Sequence, residues 1–303
     1  MSTVVVIGNF DGVHRGHQAV LAQARSIANG KHVAVLTFDP HPTEVLGRTP
    51  PPRLATLARR VELLRRHGAD DVLVEPFTLA LAGMTPEAFV EQLLVGRLGA
   101  SAVVVGENFR FGHKRAGDFA TLRALGTALG FEAVAAEVAG DAEGPFSSTR
   151  VRDAIARADL AAAEEVLGRH HALGGRVEAG DRIGRTIGFP TANLGGVQEM
   201  LPPHGVYAVV VDELEGGAAK ALAKGVMNVG VRPTVGGSAL RIEAHLFDLD
   251  RDLYGKELRV HLVARLRGEK KMSGLDELKK QIADDAQAAR AALAPITPCV
   301  AFG

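Results

Sequence analysis

Gly8-Asn9-Phe10-Asp11-Gly12-Val13-His14-Arg15-Gly16-His17 follows the short apolar run Val4–Ile7. It opens a segment in which Val20, Leu21, Ala24, Ile27 and Ala28 recur on one helical face. The order is strand, glycine loop, helix. Such a turn aims backbone N–H groups and the positive end of a helix at an anion, commonly phosphate. His14 and His17 are three residues apart, so both project from one side of the first helical turn. Paired imidazoles there suit charge that builds up on a phosphorus centre. The spacing is neither GxGxxG nor GxxxxGK(S/T), which disfavours dinucleotide binding and a P-loop. Two imidazoles are too few for a zinc site, and the single cysteine, Cys299, lies far along the chain. Taken alone, the stretch also reads as a tight βα turn with two surface histidines.

Working outward, short β-branched runs recur at Val4–Ile7, His32–Phe38, Asp71–Glu75, Ala102–Val105 and Glu132–Glu137. Helical patterns lie between them, for example Leu54, Leu57, Val61 and Leu64, and the stretch Pro86–Leu98. This alternation predicts an α/β domain, a doubly wound parallel sheet whose ligands bind beyond the carboxyl ends of the strands. Two short helices are expected from Thr149 to Leu167, broken near Asp159. Strand-like runs then take over at Leu173–Glu178, Gly205–Asp212, Leu222–Val231, Leu240–Leu249 and Glu257–Leu266, punctuated by Gly and Pro. They predict a small antiparallel β-barrel. A terminal helix is expected from Ser273, with Asp276 completing its cap and Leu275, Leu278, Ile282, Ala286, Ala289 and Leu293 on its apolar face. The expected domains are 1–168 and 169–295, followed by a tail at 296–303.

The chain has 303 residues, 47% of them apolar and 23% charged, which suits two soluble domains. Lys plus Arg equals Asp plus Glu at 35 each, which argues against nucleic acid as a partner. The cluster Arg265, Arg267, Lys270 and Lys271 reads as a strand end or a local phosphate contact. One cysteine excludes an internal disulfide framework and fits a reducing, cytoplasmic setting. No apolar run approaches the ~18 residues of a membrane span, so no membrane partner is expected. Oligomeric state is left open by the composition.

Further segments carry polar chemistry. Phe38-Asp39-Pro40-His41-Pro42 is a rigid turn directly after the second strand. Gly106–Gly112 follows the fourth strand and ends in Gly117-Asp118; its Asn108, Arg110 and two aromatics suit a planar ring plus a phosphate. Ser147, Ser148 and Thr149 stand at a helix start, where hydroxyls either cap the helix or hold a triphosphate with Arg152 as a forked cation. In the second half, Gly188-Phe189-Pro190-Thr191-Ala192-Asn193-Leu194 offers the hard oxygens of Thr191 and Asn193 to Mg²⁺, or forms a barrel turn. In Arg241–Asp248, period two puts Glu243 and His245 on one face and Ile242, Ala244 and Leu246 on the other. A buried Glu243 needs a role or a partner; the alternative is a solvated, outward carboxylate.

Together these motifs make the chain closely resemble the prokaryotic bifunctional riboflavin kinase/FMN adenylyltransferase (FAD synthetase) family over about residues 4–293. The likeness extends to Leu201–Tyr207, Gly225–Thr234 and Leu253-Tyr254-Gly255, and the HxGH and SSTxxR elements are shared with nucleotidylyltransferases more widely. Met272 stands where the family usually has phenylalanine. The resemblance implies a nucleotidylyltransferase-like first domain that adenylylates FMN to FAD and a barrel that phosphorylates riboflavin, with Mg²⁺ as cofactor and ATP, riboflavin and FMN as small-molecule substrates. It implies Glu243 as kinase base. It implies His14, His17 and Arg152 in adenylyl transfer, with Gly8, Phe10, Gly12, Gly16, Ser147, Ser148 and Thr149 around that ATP. Asn108 and Arg110 would line the flavin or phosphate pocket. Gly188, Pro190, Thr191 and Asn193 would hold the kinase ATP, Thr191 and Asn193 with the metal. Two other readings share the fold: a flavin or nucleotide sensor without catalysis, which should show damaged catalytic positions, and a different nucleotidylyltransferase fused to a barrel.

Overall fold

In the computed structural model, which describes residues 2–179, 189–234, 237–270 and 272–296, Thr3–Ile7 (β1) is the central strand of a five-stranded parallel sheet. Its neighbours are His32–Asp39 (β2), Asp71–Pro76 (β3), Ala100–Gly106 (β4) and Glu132–Ala136 (β5), in the order β3-β2-β1-β4-β5. All five residues of β1 are buried, because helices cover both faces. Val4 and Val6 pack with Leu21, Ala24 and Ala28 of the helix Arg15–Ala28 and with Leu63 and Leu64 of the helix Leu57–Arg66. Val5 and Ile7 face Phe89, Val90, Leu93, Leu94 and Leu122 on the other side. The sheet order reverses about β1, so the loops leaving β1, β2 and β4 gather at one carboxyl edge.

In the first half, the segment Pro86–Leu98 departs from its expected form. It is not a uniform α-helix: an α-turn at Pro86–Phe89 passes into a π-helix at Val90–Arg97. The Leu98 N–H reaches back to the Leu93 carbonyl. The wider turn still delivers Val90, Leu93 and Leu94 to the sheet.

The second half forms a closed antiparallel barrel. Its strands are Ala172–Glu178 (β8), Ala192–Gly195 (β9), Gly205–Glu215 (β10), Ala218–Thr234 (β11), Gly237–Leu246 (β12) and Glu257–Gly268 (β13), in the order β10-β11-β12-β9-β8-β13; a two-stranded ribbon, Gly140–Asp141 (β6) with Gly144–Pro145 (β7), precedes it in the chain. Alternate residues such as Tyr207, Val209, Val211, Met227, Ile242 and Ala244 fill the interior. Val206, Ala208, Val210 and Val226 point outward and are covered by Ala289 and Leu293 of the terminal helix Leu275–Leu293. Gly216 and Gly217, both at positive φ, supply the tight hairpin between β10 and β11.

Strand β9 was not among the expected strands; it is short and lies inside the segment that also reads as a turn. The terminal helix also differs at its start. Gly274 precedes it, and the Ser273 N–H and hydroxyl both donate to Glu277 rather than to Asp276. Leu275 is exposed, whereas Asp285 is buried in a two-pronged ion pair with Arg267.

By packing, the chain divides into two compact units, Met1–Pro51 with Leu57–Ser147, and Pro52–Thr56 with Ser148 onward. The helices Ser148–Ala156 and Leu160–Leu167 therefore belong with the barrel, whereas the sequence expectation puts the boundary after 168. Leu160 joins the barrel's own core cluster, which is the physical reason. Asp159 caps the second helix through the Ala162 N–H, at the expected break.

Candidate functional site

The loop after β1 is forced into an uncommon backbone path. Phe10, Gly12 and Val13 have φ of 51°, 80° and 42°. Left-handed geometry at Phe10 and Val13 is costly and persists only where surroundings impose it. The path ends with His14 as the residue capping a 14-residue helix. His14 is 5% exposed. Its ring stacks on that of His17, with centroids 3.6 Å apart and planes at 24°. The Phe10 ring meets His17 edge-on at 5.1 Å. Gly16 is required by space: a Cβ there would lie 2.9 Å from the Phe146 carbonyl oxygen and 3.0 Å from His14 Nδ1. At Gly8 a Cβ would press on the Phe10 ring at 3.0 Å. Two imidazoles and the positive end of a helix are thus held together at the sheet's carboxyl edge.

The neighbouring loop is tied to this one. Asn9 Nδ2 lies 3.4 Å from His41 Nε2, and His41 Nδ1 accepts from the Thr43 N–H to cap a short helix. Arg60 was missed by the sequence reading. It is 7% exposed and its guanidinium donates to the Asn9 and Phe38 carbonyls and to Asp39. A signal existed: Leu57, Arg60 and Leu64 share the apolar face of their helix, an unusual place for a cation. Asn108 and Arg110 are exposed just beyond β4, with Arg110 donating to the Phe109 carbonyl and Phe109 stacked on Phe111. Asp118 caps the next helix, and the Thr121 N–H holds its carboxyl below the usual range.

The serine–threonine segment straddles the two units. Ser147 closes the first; Ser148 opens a helix of the second, with Thr149 and Arg152 on it. Arg152 Nε donates to the Pro52 carbonyl at 2.7 Å, within the second unit.

On the barrel, Glu243 faces outward, as period two requires, while Ile242, Ala244 and Leu246 are buried inside. The antiparallel register sets Glu243 opposite Asn193 of β9 on one side and Asn228 of β11 on the other. Its side chain is 24% exposed and paired with Arg241 at 3.0 Å, so it is neither deeply buried nor fully solvated. His245 Nδ1 donates to the Pro190 carbonyl at 2.8 Å, and Phe189 packs edge-on against the same imidazole. That contact, unforeseen from sequence, fastens the segment carrying Thr191 to β12. Gly188 lies outside the described residues.

Pro190 and Thr191 border a cavity of about 560 Å³, a size typical of small-molecule pockets. Ala244 and Leu246 give it an apolar floor, and Asp250, Arg251, Asp252 and Tyr254 a polar wall. Arg251 is pinned by buried Glu213, which also pairs with Lys256 at 3.2 Å. Burial pushes the Glu213 carboxyl up, but the two cations outweigh it and hold it below its ordinary range. Asn193 and Glu243 stand together on the outer face, whereas Thr191 lines the cavity. Among the described residues no group of three His, Cys, Asp or Glu gathers as a metal site, so an ion here would need oxygens such as those of Thr191 and Asn193 together with a ligand's.

Family comparisons match both units. The family model for FAD synthetase covers residues 1–150, and that for riboflavin kinase covers 167–293. The chain is 42% identical to the bifunctional riboflavin kinase/FMN adenylyltransferase of Escherichia coli K12, over 95% of this chain and 91% of that one. It is 40% identical to the protein of the same name from Haemophilus influenzae, over 95% and 93%, and 35% identical to that from Bacillus subtilis, over 95% and 91%. The fold also superposes on a crystal structure titled as a macrolide-efflux protein from Streptococcus pneumoniae, with a TM-score of 0.84, 29% identity, and 95% and 94% of the two chains covered. With both units matched in order and nearly end to end, the chain belongs to the bifunctional riboflavin kinase/FMN adenylyltransferase family.

Proposed function

We propose that this chain makes FAD from riboflavin in two steps, one in each half. The barrel, taken as 169–295, transfers the γ-phosphoryl group of ATP to the primary alcohol of riboflavin, releasing ADP. The first domain, taken as 1–168, transfers AMP from a second ATP to the phosphate of FMN, releasing pyrophosphate. The observation that carries this reading is the presence in one chain of two differently built sites, the stacked His14–His17 pair and the outward Glu243–Asn193 row. The need for ATP and the single cysteine favour the cytoplasm.

The two sites suit two different chemical needs. A neutral alcohol requires help to lose its proton, and Glu243 would be the carboxylate that takes it. Thr191 and Asn193 would hold Mg²⁺ with the ATP phosphates; their neutral oxygens fit a hard cation, and the ion when bound offsets phosphate charge. An FMN phosphate is already ionised, so the second reaction needs no base. His14 and His17 would stabilise charge on the α-phosphate, with Gly8, Phe10, Gly12 and Gly16 shaping the loop around ATP. Ser147, Ser148, Thr149 and Arg152 would receive the leaving pyrophosphate, and Asn108 and Arg110 would line the flavin side.

The test is incubation with riboflavin, ATP and Mg²⁺, with products separated by chromatography. FMN should appear first and FAD after it, and chelation of Mg²⁺ should stop FMN formation. A chain that makes no FAD even from supplied FMN sinks the first-domain reading; one that makes no FMN sinks the barrel reading.

A further inference from the structure

The helix Leu57–Arg66 sends one cation into the sheet edge behind the histidine loop. Arg60 Nη1 donates to the Asn9 carbonyl at 3.0 Å. Its Nη2 donates to the Phe38 carbonyl at 3.1 Å and to Asp39 Oδ1 at 3.3 Å. Thr37, fully buried, donates its hydroxyl to the same Asn9 oxygen at 3.2 Å. Two donors therefore fix one carbonyl.

That carbonyl has mechanical consequences. The Asn9 C=O and the Phe10 N–H belong to one rigid peptide plane. Fixing the plane fixes the departure of the chain into the left-handed turn at Phe10. The Phe10 ring bears edge-on against His17, and His17 stacks on His14. A guanidinium suits this task because its planar fork reaches several acceptors at once in set directions. The Asn9 and Phe38 carbonyls and the Asp39 carboxylate all belong to the loops at this sheet edge, so through them the guanidinium acts on the path of the histidine loop.

We infer that Arg60 is a positioning residue for adenylyl transfer: by holding the Asn9–Phe10 peptide and the end of β2 together, it sets the His14–His17 pair in place. The inference rests on the reading of that pair as the adenylyl-transfer site. Misplacing catalytic groups by about 1 Å can cost 10²-fold in rate, without a matching loss of ground-state binding.

The experiment uses the full chain and reads both activities. Arg60→Met keeps the bulk and removes every donor; Arg60→Lys keeps the charge and loses the fork; Thr37→Val removes the second donor. Expected is a fall of about 10²-fold in kcat for FAD formation in Arg60→Met, roughly tenfold in Arg60→Lys, and a smaller fall in Thr37→Val. KM for ATP should stay within threefold. Riboflavin phosphorylation, performed by the other half, reports that each variant is folded and active there. A role confined to stability would lower the melting temperature and leave kcat of the folded protein alone. If Arg60→Met does not fold, the other two variants decide. A kcat within threefold of wild type in every folded variant overturns the inference, and so does a raised KM at unchanged kcat. Absence of FAD formation in the wild-type chain would instead remove the functional reading on which it stands.

Discussion

The imidazoles of His14 and His17 lie face to face, 3.6 Å between centroids, at the first turn of the helix that follows β1. Each ring braces the other, so removing either disturbs both. His14→Ala and His17→Ala should each lower kcat for FAD formation by about 10²–10³-fold, the range seen when one donor to developing charge is lost. Riboflavin phosphorylation should be unchanged. Steady-state kinetics with varied ATP checks this: a raised KM with normal kcat would place the pair in ground-state binding.

Glu243 stands between Asn193 and Asn228 with Arg241 as its ion-pair partner. Glu243→Gln keeps the shape and removes the proposed base. FMN formation should fall roughly 10²–10⁴-fold. FAD formation from supplied FMN should persist. Loss of both activities together would count against two separate sites.

His171 makes the second unit sensitive to acid. It is 3% exposed and donates to the Met200 carbonyl at 2.8 Å. Burial pushes its pKa down to about 4, against the help of that hydrogen bond, and the nearby Arg169 and His261 push the same way. The unfolded chain binds this proton near pH 6.5, so between pH 6.5 and 4 unfolding takes up a proton and stability drops as pH falls, by roughly 3 kcal/mol in all. Buried Glu199 acts in the opposite sense, since burial raises its pKa and the folded state keeps a proton that the unfolded state gives up. His171→Gln should therefore flatten the fall in melting temperature between pH 7 and 4.5. Parallel pH profiles for the two proteins would refute this.

A barrel fragment should need the helices that precede it. Leu160 contributes to the barrel core, and Glu164 pairs with His170 at 3.1 Å. A fragment of residues 148–296 should fold and make FMN but no FAD. A fragment starting at 168 should be less stable by roughly 2–5 kcal/mol, the cost of losing one large buried aliphatic side chain. Equal unfolding midpoints in urea for the two fragments would show that those helices are dispensable.

Much of this architecture is legible in the chain alone, wherever a pattern is local. The period two of residues 242–246 separates Ile242, Ala244 and Leu246 from Glu243 and His245, whereas residues 206–211 are apolar throughout and only the fold decides which of them face inward; β1 with its glycine loop predicts the sheet edge at which the histidines sit. The pairing of Glu243 with its own face follows from period two. These features depend on neighbours within a few residues, so composition and spacing carry them.

Other features depend on partners far apart in sequence, and only the tertiary structure decided them. Arg60 reads as one more helix cation until the fold brings Asn9 and Phe38 to it. His245 gains its role when β12 passes beside Pro190, and β9 exists because β8 and β12 offer it ladders on both sides. Ser273 donates to Glu277 rather than to the nearer carboxylate in sequence, Asp276. The helices at 148–167 join the barrel by burying apolar side chains such as Leu160 in its core, and Pro52–Thr56 by hydrogen bonds such as that from the Met200 N–H to the Arg53 carbonyl, partners that no local spacing encodes.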